Sequence, residues 1–127
     1  MMPCWARKFR SDPEMAHTVR SLVRDIQVEI RDTDLHPDRG AELLTKLTAL
    51  YGSVLDEIRA ADMAYNEILL DALQSDEAAN RARIRAQATP QYARMREARD
   101  VEKLALELIR TLKVFLRTKQ EEMRLSR

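Results

Sequence analysis

The sequence predicts an all-α protein, folded as an elongated bundle of three to four long, amphipathic, coiled-coil-like helices. The 127 residues include only 2 glycines and 4 prolines, and 5% are aromatic. Residues that favour turns and strands are therefore scarce beside the helix formers Ala, Leu, Glu and Arg. Apolar side chains recur every three to four residues, the spacing of one helix face. At this length, and with 45% hydrophobic residues, the chain predicts a single domain (1–127) with a packed core.

The first helix is predicted over about residues 13–33. Pro13 suits the first turn of a helix, and Asp12 or Ser11 can cap the free N–H groups ahead of it. The helix should stop near Thr33, where the stretch DTDLHPDRG brings a proline and a glycine together. One apolar face follows from the spacing of Met15, Val19, Leu22, Val23, Ile26 and Ile30.

A second helix is predicted over about residues 38–74, with Asp38 as its cap. Its apolar positions alternate spacings of three and four over four heptads, as in a coiled-coil seam. Further leucines widen this seam, so the helix should pack against two neighbours. The seam consists of Leu44, Leu47, Tyr51, Val54, Ile58, Ala61, Tyr65, Ile68 and Ala72.

The seam thins near Ser75, and two arrangements fit the pattern. One helix can continue from residue 38 to about residue 88. Alternatively, the chain breaks near QSDEA, and a separate helix over 76–88 begins with Ser75 or Asp76 as its cap. We favour a break or kink.

The last helix is predicted over about residues 90–124. The stretch ATPQY provides Thr89 as the cap and Pro90 in the first turn. Its apolar face consists of Met95, Ala98, Val101, Leu104, Ala105, Leu108, Leu112, Phe115 and Leu116.

No signature of catalysis or of cofactor or metal binding is complete. The loop DTDLHPD resembles the start of a calcium loop, but Pro37 stands where glycine is needed and Leu43 where a bidentate glutamate is needed. Glu14 and His17 have the spacing found in di-iron bundles, but no second copy of the pair exists. Cys4 alone cannot form an intramolecular disulfide. We therefore predict a protein that is not an enzyme and has no catalytic, cofactor or metal residues.

Charge is distributed unevenly along a chain whose net charge is only +1. Residues 11–78 carry 15 acidic and 6 basic side chains, whereas residues 79–127 carry 6 acidic and 13 basic ones. Such polarity can attract an acidic partner or orient copies of the chain in an antiparallel or head-to-tail arrangement.

Six arginines lie within the stretch ANRARIRAQATPQYARMREAR, residues 79–99. If the turn at Thr89 and Pro90 reverses the chain, these arginines flank one corner. They can then contact nucleic-acid phosphates or an acidic protein surface, or they can be a solvated face that pairs with the acidic middle of the chain. An aromatic residue among arginines also suits stacking on single-stranded bases. The candidate contact residues are Arg81, Arg83, Arg85, Tyr92, Arg94, Arg96 and Arg99.

The second helix offers more apolar surface than one short partner helix can cover. Self-association would bury the surplus, so we predict a homo-oligomer. The candidate interface residues are Tyr51, Val54, Ile58 and Tyr65. The N-terminal segment, residues 1–10, is predicted to be flexible or docked on the bundle through Trp5 and Phe9.

The last part of the chain, ANRARIRAQATPQYARMREARDVEKLALELIRTLKVFLRTKQEEMRLSR, resembles the C-terminal parts of small all-helical phage-encoded proteins of unassigned function. The resemblance covers about forty per cent of the chain and carries over no catalytic residue. It implies a compact helical accessory protein that acts in an infected cell or a virion.

These patterns predict a non-enzymatic assembly or adaptor protein that acts through protein–protein contacts with itself, another protein or both. The alternative is a nucleic-acid-binding accessory protein that uses the arginine-rich corner 81–99. No stretch approaches the ~20 apolar residues of a membrane span, and no signal-peptide pattern is present. A membrane partner is therefore not expected, and the predicted location is the cytoplasm, or the host cytoplasm or virion for a phage protein.

Overall fold

The computed structural model describes residues 13–126, with side chains from Thr18 onward. Four helices follow one another: α1 (Pro13–Asp32), α2 (Pro37–Leu73), α3 (Ala79–Gln87) and α4 (Pro90–Leu125). The predicted all-α bundle is thus confirmed, and so is the predicted break after the second helix. The predictions for Cys4, Trp5, Phe9 and the cap of α1 lie outside the described residues.

The two long helices, α2 and α4, form the spine of the molecule. Their 37 and 36 residues give each a length of about 55 Å at 1.5 Å per residue. The start of α2 meets the end of α4, where Gly40 approaches the ring of Phe115. The end of α2 meets the start of α4, where Tyr65 contacts Tyr92. The two helices are therefore antiparallel, and α1 and α3 each pack against both of them.

The main core lies where α1, α2 and α4 meet. Leu43, Leu47 and Val54 of α2 are at most 1% exposed, as their place in or beside the predicted seam requires. α3 buries only Ala82 and Ala86, and these small side chains let its backbone approach α2 closely. The buried hydrophobic residues are Val23, Ile26, Leu43, Leu47, Val54, Ala60, Ala61, Tyr65, Ala82, Ala86, Ala98, Val101, Ala105, Leu108 and Leu112.

The cap of α2 is His36, which corrects the prediction of Asp38. The residue before a proline favours an extended backbone, and His36 adopts φ −72° and ψ 143°. Pro37 then occupies the first helical turn, where its missing N–H costs nothing. The Asp38 N–H donates to Nδ1 of His36 at 3.2 Å, so the predicted cap lies inside the helix.

The cap of α3 also differs from the prediction. Neither Ser75 nor Asp76 caps it, because the N-cap is Ala78, which has no side-chain acceptor. The Ser75 hydroxyl is already engaged: it donates to the Ala72 carbonyl at 2.7 Å and accepts the Glu77 N–H at 3.4 Å. Ser75 therefore closes α2.

The cap predicted for α4 is confirmed. The Thr89 hydroxyl accepts the Tyr92 N–H at 3.4 Å, and Pro90 opens the helix. A side-chain acceptor satisfies one of the N–H groups that the first turn leaves free.

Alanine substitutions at the two glycines of α2 are expected to change stability in opposite directions. At Gly52 an added Cβ meets nothing within 4 Å, so Gly52→Ala should stabilise the fold by about 0.5–1 kcal/mol through helix propensity. At Gly40 an added Cβ would lie 2.9 Å from Cε1 of Phe115. Overpacking costs about 1–3 kcal/mol, so Gly40→Ala should lower the melting temperature. Thermal unfolding followed by circular dichroism measures both variants, and equal gains would contradict the close packing at Gly40.

Arg39 ties α1 to α2. Its Nε and Nη2 donate to the carboxylate of Glu29 at 2.6 and 2.8 Å, and its Nη1 donates to Glu42 at 2.9 Å. The hydrogen bonds from Arg39 lower the pKa of Glu29 below its ordinary value of 4.5. The ion pair between Glu29 and Arg39 therefore stabilises the packing of α1 on α2 most when the Glu29 carboxylate is ionised.

This ion pair predicts how stability depends on pH. Because the pKa of Glu29 is lower in the folded state, its contribution is present above the unfolded pKa and is lost as pH falls through the folded pKa. Glu29→Gln should therefore reduce the difference between the free energy of unfolding at pH 7 and that at pH values below about 4.5. Urea unfolding at each pH measures this, with Glu67→Gln as the control because Glu67 is exposed. Identical pH profiles for the Glu29 variant and the unchanged protein would contradict it.

Candidate functional site

The arginine-rich corner is formed at the Thr89–Pro90 turn, but its side chains separate into two groups. Arg94 turns inward to α2: its Nε and Nη2 donate to the two carboxylate oxygens of Glu57 at 2.7 and 3.1 Å. Glu57 is 8% exposed and is the one charged side chain that the described residues bury. A buried carboxylate requires such a bidentate partner, so Arg94 has a structural role.

Two more of the six arginines are also paired within the chain. Arg99 Nη2 donates to both carboxylate oxygens of Asp62 at 3.1 and 3.0 Å, and Arg85 pairs with Glu77. Together with Arg94, half of the predicted contact arginines thus neutralise acidic residues of the segment before them. These three pairs support the interpretation of the corner as a face that pairs with the acidic middle of the chain.

Tyr92 is part of an aromatic pair and not an open platform for bases. Its ring centroid lies 5.2 Å from that of Tyr65, with the planes inclined at 53°. The guanidinium of Arg96 lies 5.9 Å from the centroid of the Tyr92 ring, and its Nη1 donates to the Tyr92 hydroxyl at 3.3 Å. Tyr92 is half-buried between these neighbours, which leaves little ring surface for stacking.

Two of the three remaining arginines lie on α3. Arg81 and Arg83 are exposed, and neither forms an ion pair within the described part of the chain. Ile84 is 68% exposed on the same helix. The predicted contact surface is therefore reduced to this short helix and the adjoining Arg96.

The four predicted interface residues lie mainly inside the chain's own bundle. Val54 is 1% and Tyr65 is 8% exposed, while Tyr51 and Ile58 are half-buried and pack against the same core. α4 of the same chain covers this seam because it runs along the full length of α2. The prediction that these side chains face a second copy is corrected for Val54 and Tyr65, which the helices of the same chain bury almost completely.

An apolar groove of about 450 Å³ lies between α1 and α2, on one flank of α1. Leu22 is 42% exposed at its edge, and the side chains of Ile26 and Leu43 form its base. The complete lining consists of Leu22, Asp25, Ile26, Glu29, Arg39, Leu43, Lys46, Ala49 and Leu50.

The two edges of this groove carry opposite charge. The α1 edge has the acidic Asp25 and Glu29, and the α2 edge has the basic Arg39 and Lys46. Glu29 and Arg39 are paired with each other. Asp25 and Lys46 are exposed, and no ion pair joins either of them to another described residue.

The sequence analysis did not predict this groove, although it placed one of its residues on an apolar helix face. Leu22 belongs to the predicted apolar face of the first helix, but it lies at the edge of that face, next to Asp25. Helical periodicity shows that a residue is apolar and does not show whether a neighbouring helix reaches it. The groove therefore became visible only with the packing of α1 on α2.

Neither metal nor membrane binding gains support from the described residues. Among the side chains described from Thr18 to Ser126, no three His, Cys, Asp or Glu residues come together in a group that could hold a metal ion. Within the same range, no helix combines the length and hydropathy that crossing a bilayer requires. The sequence matches no family model, and comparisons with curated proteins and with solved structures gave no significant match.

Proposed function

We propose that the protein is a non-enzymatic assembly or adaptor protein that acts through helix-mediated contacts with other protein chains. The observation that carries the proposal is the apolar groove between α1 and α2. Apolar grooves flanked by charge are the surfaces on which amphipathic helices dock. Leu22, at 42% exposure, supplies surface that gains stability when a partner covers it.

The arginine pairs support the same proposal indirectly. Arg85, Arg94 and Arg99 pair with acidic residues of the bundle, so half of the six arginines of the corner are neutralised within the scaffold. A rigid scaffold presents a groove of fixed shape, which lowers the entropy lost on binding. The resemblance of residues 79–127 to small phage-encoded proteins supports the further proposal that this scaffold acts in the cytoplasm of an infected cell or in a virion.

Photo-crosslinking in living cells tests this function. A benzophenone amino acid in place of Leu22 should give a defined adduct with a protein when the cells are irradiated. The matched control carries the same amino acid in place of Leu70, which is 57% exposed on α2 and away from the groove. The absence of any adduct from position 22, or equal adducts from both positions, would contradict a docking groove.

A second candidate function, contact with nucleic acid, is favoured by one observation. Arg81 and Arg83 are exposed on α3 with no ion pair among the described residues. Binding through phosphates weakens with salt, with a log–log slope of about −0.9 for each duplex phosphate neutralised. Fluorescence anisotropy with a short DNA duplex at increasing salt measures this slope. A slope that disappears in the double variant Arg81→Ala/Arg83→Ala would support this function, and no salt-sensitive binding would exclude it.

A further inference from the structure

We infer that the partner of the α1–α2 groove is a second copy of this chain, docked face to face across a two-fold axis. This inference rests on the proposed function and names its partner. The complex is a dimer in which α1 and α2 of each copy form a four-helix interface. The reason lies in the arrangement of charge along the two edges of the groove.

Each edge of the groove carries an exposed charge that forms no salt bridge within the chain. Asp25 lies on the α1 edge, and Lys46 lies on the α2 edge. Both are exposed. No salt bridge joins either of them to another side chain described between residues 18 and 126, and Lys46 lowers the pKa of Glu29 only from a longer distance. Between Asp25 and Lys46, Leu22 and Ala49 are exposed, and Leu50 is half-buried. A partner that fits must therefore present an apolar strip with a basic side and an acidic side.

The groove itself meets this requirement when it is rotated by 180° about an axis that runs along the groove. In a two-fold contact the same patch lies on both subunits, so a residue i that meets residue j of the partner is matched by j meeting i. The acidic α1 edge of one copy then faces the basic α2 edge of the other. Asp25 meets Lys46 twice, once on each side of the axis, and the two apolar strips cover each other. One contact then pairs both exposed charges and covers Leu22 and Ala49.

A two-fold axis that crosses the groove, instead of running along it, would not achieve this. It would place the acidic α1 edge of one copy against the same edge of the other, and such like-charge contacts oppose binding. The charge pattern therefore selects the two-fold axis that runs along the groove.

Sedimentation equilibrium of the purified full chain tests the dimer. The unchanged protein should behave as a dimer of 14.8 kDa subunits. Leu22→Glu should raise the dimer dissociation constant at least about tenfold, because it places a charge in the apolar strip. The control is Leu70→Glu, at a leucine that is more exposed and lies outside the groove, and it should leave the dimer intact. Circular dichroism verifies that each variant keeps its helices.

Charge reversal provides the sharper experiment. Asp25→Lys alone creates two Lys–Lys contacts in the dimer, and Lys46→Glu alone creates two acidic contacts. Each variant should therefore be monomeric where the unchanged protein is a dimer. An equimolar mixture of the two should form a heterodimer. The position changed by Asp25→Lys then faces the position changed by Lys46→Glu with opposite charge at one site, and the native Lys46–Asp25 pair forms at the other. A loss caused by misfolding would not be restored by mixing.

Three results would overturn the inference. The purified protein could be a monomer at tens of micromolar, the dimer could be indifferent to Leu22→Glu, or the mixture could fail to associate. None of these results by itself removes the proposed function, because the crosslink from position 22 is read independently. An adduct with the mass of a different protein, together with a monomeric purified chain, would retain the docking groove and reject the second copy as its occupant.

Discussion

Replacing Glu57 with leucine is expected to lower the free energy of unfolding by about 2–3 kcal/mol. The side chain of Glu57 is 10% exposed, and that of Arg94 is 28% exposed. Breaking a fully buried ion pair costs about 3–5 kcal/mol, because one charge stays in a poorly solvated place. The expected loss is smaller here because water still reaches part of Arg94. Urea unfolding followed by circular dichroism measures the difference.

The double variant Glu57→Leu/Arg94→Met provides the decisive comparison. It removes both charges and leaves apolar groups of similar volume, so most of the lost stability should return. Asp56→Ala is the control for an exposed pair, since Asp56 and Arg59 lie 3.8 Å apart with exposures of 70% and 65%. That change should stay within about 0.5 kcal/mol. If Glu57→Leu were as mild as Asp56→Ala, the buried pair would not be holding α4 to α2.

The second large effect is expected at Leu47, which is 0% exposed in the core between the long helices. Leu47→Ala should cost about 2–5 kcal/mol, the sum of the lost transfer energy and the cavity left behind. Leu70→Ala, at a leucine of α2 that is 57% exposed, should change stability by less than about 0.5 kcal/mol. Both values follow from the midpoints of urea unfolding, provided that the slope m is unchanged.

The Leu47 comparison also tests which face of α2 the chain itself covers. Equal losses for the two leucines in dilute protein would mean that both faces of α2 are buried in the folded molecule. Such a result would contradict the four-helix arrangement. A loss at Leu70 that grew with protein concentration would point to an interface on the outer face of α2 instead of the groove.

The helices could be predicted from the sequence because each helix depends on the types and spacing of residues that are close together in the chain. Spacings of three and four identify the long helices, and Thr89 followed by Pro90 fixes the start of α4 within one residue. The cap of α2 was missed by two residues because aspartate is the more common capping residue. The extended backbone imposed on His36 by Pro37 proved stronger than that preference.

The arrangement of the candidate site could not be predicted in the same way. The pairs Arg94–Glu57 and Arg99–Asp62 each join residues 37 positions apart, and their contact depends on how far α4 folds back along α2. Before that register is known, an arginine that stabilises the bundle and one that faces solvent look the same. The same limit applies to the seam, because Val54 and Tyr65 are apolar for either an intramolecular or an intermolecular partner.

The way α3 is attached has a consequence for motion. Its nine residues bury two alanines and begin without a side-chain cap, so little free energy opposes its local opening. Short helices are marginal on their own and depend on the packing of a wide apolar face, which α3 lacks. We therefore expect its backbone amides to exchange with solvent well before those at the centres of α2 and α4. The chain would then combine a slowly exchanging spine with one helix that detaches and returns while the spine stays folded.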